Sequence, residues 1–140
     1  MIIVLDTNVL VAGLLSPFGP PGRILDLVLS GELGLAYDDR ILAEYRDVLA
    51  RARFGFDRTS VAELLAYIET EEQHVTAMPV NVELPDPDDL PFLEVSRTVQ
   101  ADALVTGNTR HYPAASRHGI VVLTPAEFME RWQASRVENR

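Results

Sequence analysis

The sequence predicts an α/β fold: a central parallel sheet of about four to five short strands, covered by helices on both faces. Three observations predict it. Ile2-Ile3-Val4-Leu5 is β-branched and apolar at consecutive positions, the pattern of a strand buried from above and below. Short runs of this kind alternate with segments whose apolar residues recur at helical spacing, which marks βα units feeding a parallel sheet. Size is the third. With 140 residues, 47% of them hydrophobic, and 8 Gly and 9 Pro, the chain supports one core, not two.

The first strand, Ile2–Leu5, ends at Asp6. Thr7–Leu15 reads as a short helix, broken by Ser16-Pro17-Phe18-Gly19-Pro20-Pro21-Gly22. A second helix spans Arg23–Leu29 and stops at Ser30-Gly31, and Leu33–Tyr37 is the second strand. Asp39–Ala52 is helical, because Ile41, Leu42, Tyr45, Val48, Leu49 and Ala52 share one stripe. Ser60-Val61-Ala62-Glu63 has the form of a capping box opening a helix through Leu64, Leu65 and Ile68. His74–Pro87 reads as extended chain or loop. Asp88–Gln100 is the next helix, with Pro91 tolerated in its first turn. Ala103–Thr106 is a strand ending at Gly107-Asn108, and Ile120–Leu123 is another. Thr124-Pro125-Ala126-Glu127 combines an N-cap, an N1 proline and a capping-box glutamate, so the last helix starts there. One domain is expected over residues 1–134, with 135–140 a frayed tail.

Composition removes several function classes. The chain has no cysteine, which excludes a disulfide scaffold, a thiol nucleophile and a thiolate metal site. All 12 cationic residues are arginine. Without lysine there is no P-loop lysine, no Schiff base, and no lysine of the kind that receiver domains and haloacid-dehalogenase-type phosphatases use. The net charge of −9 argues against coating nucleic acid by bulk attraction, but not against an acidic metal centre that cleaves it. No stretch is long enough to span a membrane, and the amino terminus lacks a basic signal region. A soluble, cytoplasmic protein is expected.

Ligands of such folds bind outside the carboxyl ends of the strands. Asp6 ends the first strand and Asn108 follows the third. If those strands are neighbours they run roughly 5 Å apart, and both side chains face one crevice. Glu44 lies at the edge of its helix's apolar stripe, beside Ile41 and Val48, whereas Asp47 turns to solvent. Asp89, Phe92, Leu93 and Ser96 fall at i, i+3, i+4 and i+7, which turns Asp89 inward. A cap needs only one acid of Asp86-Pro87-Asp88-Asp89. Carboxylates converging on one crevice repel unless a cation separates them, and oxygen ligands of this kind suit Mg²⁺ or Mn²⁺. Such centres typically cleave phosphodiesters. His74, His111 and His118 have no metal-binding spacing; His111 could touch substrate, although a role without chemistry is the preferred reading, and His118 reads as surface before a strand. Asp102 precedes its strand, so it is placed on the surface. Arg110 and Arg23 are the arginines chosen as candidate phosphate contacts.

These blocks resemble the PIN-domain family. The resemblance lies in Ile2-Ile3-Val4-Leu5-Asp6-Thr7-Asn8-Val9-Leu10, in Ile41-Leu42-Ala43-Glu44, and in Asp86 to Asn108. In order and spacing it is similar to the toxin components of bacterial toxin–antitoxin pairs, broadly VapC-like. The resemblance implies a three-layer PIN-like fold. It also implies a Mg²⁺- or Mn²⁺-dependent endoribonuclease, usually a homodimer, held inactive by a cognate antitoxin. It assigns the metal-site acids to Asp6, Glu44 and Asp89, with Asn8 and Thr106 supporting them. Where the family often has a fourth acid this chain has Asn108, which ligates without charge, and Asp86 is a possible substitute. Two other readings stand beside it: a non-catalytic PIN-fold module binding RNA or protein, and another metal-dependent phosphoester hydrolase. Against the latter, the Asp6-Thr7-Asn8 opening lacks the second aspartate that such phosphatases use.

Overall fold

The structure, a computed structural model, describes residues 1–138. Five strands form one sheet in the order β3-β2-β1-β4-β5, with every pairing parallel. They are β1 (Ile2–Leu5), β2 (Gly34–Tyr37), β3 (Gln73–His74), β4 (Ala103–Val105) and β5 (Val122–Leu123). The helices are α1 (Thr7–Leu15), α2 (Pro20–Leu29), α3 (Asp39–Leu49), α4 (Arg58–Glu71), α5 (Leu90–Val99) and α6 (Pro125–Glu138).

β1 sits at the centre, as its apolar run requires. Ile3, Val4 and Leu5 are fully buried at consecutive positions, so both faces of the strand are covered. α5 packs across β1, β2 and β4, and α6 packs against β4, β5 and α2. β1 and β4 are direct neighbours, in the register Ile3 to Ala103, Val4 to Leu104 and Leu5 to Val105. That register sets Asp6 and Thr106 side by side where the two strands end. Asp102 is on the surface at the opposite end, where its Oδ2 accepts a hydrogen bond from the Ile2 amide at 2.8 Å.

Several boundaries differ from the sequence expectation. α2 begins at Pro20, not Arg23, because both prolines occupy the first turn, where a missing N–H does no harm. α4 begins at Arg58: Asp57 caps it, accepting from the Ser60 amide and hydroxyl, and the Ser60–Glu63 box is not the cap. α3 ends at Leu49, and Ala52–Phe54 forms a separate 3-10 turn. Pro87–Asp89 is also a 3-10 turn, so α5 proper starts at Leu90. β3 was not legible, since two residues carry no periodicity. α6 starts as expected, with Thr124 and Glu127 bonded reciprocally. It then continues through Glu138, where a tail from residue 135 was expected. Arg136 lies over the Trp132 ring and reaches Glu32 at 3.5 Å, which holds this turn to the body. Residues 139–140 of that expected tail lie outside the described residues. Among the described residues no helix is long and apolar enough to cross a membrane.

Candidate metal centre

Asp6 follows β1 directly, and its amide is bonded to the Val105 carbonyl of β4 at 2.9 Å. Its carboxylate does not cap α1. Asp6 Oδ2 instead accepts from Thr106 Oγ1 at 2.9 Å and from the Tyr112 hydroxyl at 3.1 Å. Burial raises the Asp6 pKa, and the hydrogen bonds from Thr106 and Tyr112 oppose that rise. Beneath it, the fully buried Tyr45 of α3 donates to the Leu5 carbonyl at 2.5 Å, fixing α3 to the end of β1.

Glu44 lies one residue before Tyr45, half-buried at the edge of the stripe, and accepts from the Thr7 hydroxyl. Its pKa is raised by burial, and further by Asp6, Asp88 and Asp86. Asp89 closes the Pro87–Asp89 turn with only 8% of its surface exposed. The capping role falls to Asp86, whose Oδ1 accepts from the Asp88 amide at 2.9 Å. Asp89 is therefore free to turn inward. Its pKa is pushed up to about 6, by burial first and then by Asp6 and Asp86, with His111 pulling the other way. Asp89 Oδ2 is buried without a hydrogen-bond partner. His111 Nδ1 stands 3.0 Å from it, but the alignment falls short of a hydrogen bond.

A second layer holds these elements together. Arg40 bonds both Asp38, the N-cap of α3, and Glu94 of α5, each at 2.8 Å. α3 carries Glu44 and α5 follows Asp89, so one guanidinium ties the two elements that present them. Glu94 also accepts from the Val80 amide, and Thr98 from the Met78 amide. These bonds pin the irregular segment leading into Asp86.

Asp6 lies close enough to Glu44 and to Asp89 for its charge to raise both, Asp86 acts on both as well, and Asp88 acts on Glu44. Thr106 supports Asp6 directly. Asn8 supports the fold of the rim: its Oδ1 accepts from the Gly107 amide at 3.0 Å. The Asn108 amide donates to Thr106 Oγ1 at 3.1 Å, while the Asn108 side chain is engaged within the next turn. Its Oδ1 caps the Thr109–His111 turn, accepting from the Arg110 amide at 3.2 Å. Arg110 is exposed on that same turn. Arg23 lines a surface depression of about 480 Å³ between α2 and α6, with Asp26, Trp132 and Arg136, and none of the clustered acids lines it. Sequence reasoning missed His111 as a neighbour of Asp89, and missed Tyr112 altogether. Both lie in a turn without periodicity, and only their closeness to the end of β4 could have pointed to them.

The donors present are carboxylate oxygens, which suit a hard divalent ion, and Asp89 Oδ2 is a buried acceptor that no hydrogen bond satisfies. Among the described residues no three acidic or histidine side chains already converge on one point.

With that geometry in place, the comparisons give the class. The PIN domain family model matches residues 2–110, and the chain belongs to that family. One solved structure with the same fold is that of VapBC2 from Rickettsia felis bound to a DNA fragment from their promoter. It aligns with a TM-score of 0.55 at 14% identity, covering 89% of this chain and 98% of that one. No curated protein matches the chain by sequence.

Proposed function

We propose that this PIN-domain protein is an endoribonuclease dependent on Mg²⁺ or Mn²⁺, and the toxin of a toxin–antitoxin pair. The observation that carries the reading is that Asp6, Glu44 and Asp89, from three separate parts of the chain, lie near enough for the charge of Asp6 to act on both of the others. Each is raised in pKa by burial, and the charges of Asp6 and Asp86 act on both Glu44 and Asp89. Mutual repulsion of this kind is relieved by a divalent cation.

Asp6, Glu44 and Asp89 would hold the ion, with Asp86 at the rim. When bound, the ion would generate a hydroxide nucleophile from water and stabilise charge on the phosphate oxygens. The chain's own groups set the frame. Thr106 and Tyr112 fix one oxygen of Asp6, Thr7 fixes Glu44, and Tyr45 locks α3 to the strand end. Arg110, exposed beside the cluster on the turn after β4, is the candidate phosphate contact. The similar structure is of VapBC2, which supports an antitoxin partner here. Leu15 and Phe18, 55% and 94% exposed at the α1–α2 tip, offer apolar surface to such a partner or to a second copy.

The test is cleavage of single-stranded RNA by the full chain in Mg²⁺, in Mn²⁺ and in EDTA, with Asp6→Asn alongside. Cleavage in either metal, lost in EDTA and in Asp6→Asn, is the expected result. Undiminished cleavage in EDTA, or full activity of Asp6→Asn, refutes the reading.

A further inference from the structure

Resting on the metal-centre reading above, we propose that His111 supplies a nitrogen ligand to the cation, completing through the Thr109–His111 turn a site that Asn108 does not complete. Three observations carry this. Asn108 has its side-chain oxygen engaged within the turn, on the Arg110 amide. The His111 amide is bonded to the Asn108 carbonyl at 3.2 Å, so the Asn108 cap shapes the very turn that presents the imidazole. And Asp89, more than nine-tenths buried, has an Oδ2 that no hydrogen bond satisfies, with His111 Nδ1 3.0 Å away.

That separation is informative. Two donors bound side by side on one ion, each about 2.1 Å from it, stand about 3.0 Å apart. Asp89 Oδ2 and His111 Nδ1 already hold the spacing of adjacent ligands. With its proton on Nε2, the half-exposed ring offers the Nδ1 lone pair inward. The turn is held by more than its cap. Arg117 donates to the Tyr112 carbonyl at 2.7 Å and to the Thr109 carbonyl at 3.5 Å, and buried Tyr112 anchors the end of the turn on Asp6. One short turn thus delivers a phenol to Asp6 and an imidazole to Asp89.

Replacing a carboxylate by an imidazole changes what the site prefers. It removes a negative charge and adds a borderline donor, which favours transition ions over Mg²⁺. Mn²⁺ should therefore outcompete Mg²⁺ more strongly than at a carboxylate-only centre.

The experiment uses the full chain and two readouts that do not depend on activity. The first is pulsed electron paramagnetic resonance of bound Mn²⁺, which detects a directly coordinated nitrogen. The second is calorimetric titration of Mn²⁺ and of Mg²⁺ into wild type, His111→Ala, His118→Ala and Asp6→Asn. We expect one coordinated nitrogen in wild type and in His118→Ala, and none in His111→Ala. Mn²⁺ affinity should fall at least roughly tenfold in His111→Ala, while Mg²⁺ affinity changes less. Mn²⁺ bound in wild type without nitrogen coordination, yet weakened by Asp6→Asn, overturns the histidine assignment and leaves the carboxylate centre standing. No Mn²⁺ binding, or binding indifferent to Asp6→Asn, overturns the centre and this inference with it. Should His111→Ala fail to fold, the wild-type spectrum decides alone.

Discussion

Neutralising Asp89 should make the metal-free protein more stable, which is unusual for a change at a buried polar residue. The perturbation is Asp89→Asn, which keeps the size and polarity of the side chain and removes its charge. The Asp89 pKa is raised to about 6, and relative to an unfolded value near 3.9 this disfavours the charged form by about 3 kcal/mol. That shift already includes the attraction to His111, so the net gain at neutral pH is about 3 kcal/mol. For a domain of this length that is roughly 10 °C in melting temperature. The pH dependence follows from the same shift. Between about pH 4 and 6 the folded state holds a proton on Asp89 that the unfolded state releases, so the contribution of this group to stability is greatest at the acid end and is lost as pH rises through 6. Asp89→Asn should lack that loss. Thermal and urea denaturation in EDTA at pH 5 and pH 7.5 measure both effects. A variant that melts at or below wild type at pH 7.5 would refute the placement of Asp89 among repelling charges.

Other predictions follow from particular contacts. Tyr112→Phe removes a donor to the buried Asp6 carboxylate and should destabilise the fold by about 2 kcal/mol, read by urea denaturation. Asn108→Asp should leave Mn²⁺ affinity unchanged within experimental error, since aspartate caps the 109–111 turn as asparagine does; tenfold tighter binding in calorimetry would place residue 108 on the ion. Glu94→Ala leaves Arg40 and the Val80 amide without their shared acceptor and should cost about 2 kcal/mol, with faster amide exchange along 76–84. Gly22→Ala forces a methyl group into the Pro17 backbone and should lower stability by about 2 kcal/mol or abolish folding, as judged by circular dichroism.

Periodicity made much of this protein legible from its sequence. The run Ile2–Leu5 declared a strand covered on both faces, and the structure puts it at the sheet's centre. The stripe of α3 placed Glu44 at a boundary, because in a helix the direction of a side chain follows from its number, and the α5 stripe carried back one residue turned Asp89 inward, although Asp89 lies in the 3-10 turn before that helix. The reciprocal Thr124–Glu127 cap was readable for a similar reason: it is a local bond between residues three apart. Tertiary structure alone decided the rest. Thr106 and Tyr112 meet Asp6 from 100 and 106 residues away, and only the β1–β4 pairing brings them there. Arg40 joins α3 to α5 through Glu94, 54 residues on, a link that no spacing announces. Asn108 and His111 show the difference most plainly. Both stand in a turn, where direction depends on individual backbone angles, not on a repeat. The residue that sequence order offered to the metal caps the turn, and the one it offered at most to substrate stands 3.0 Å from Asp89.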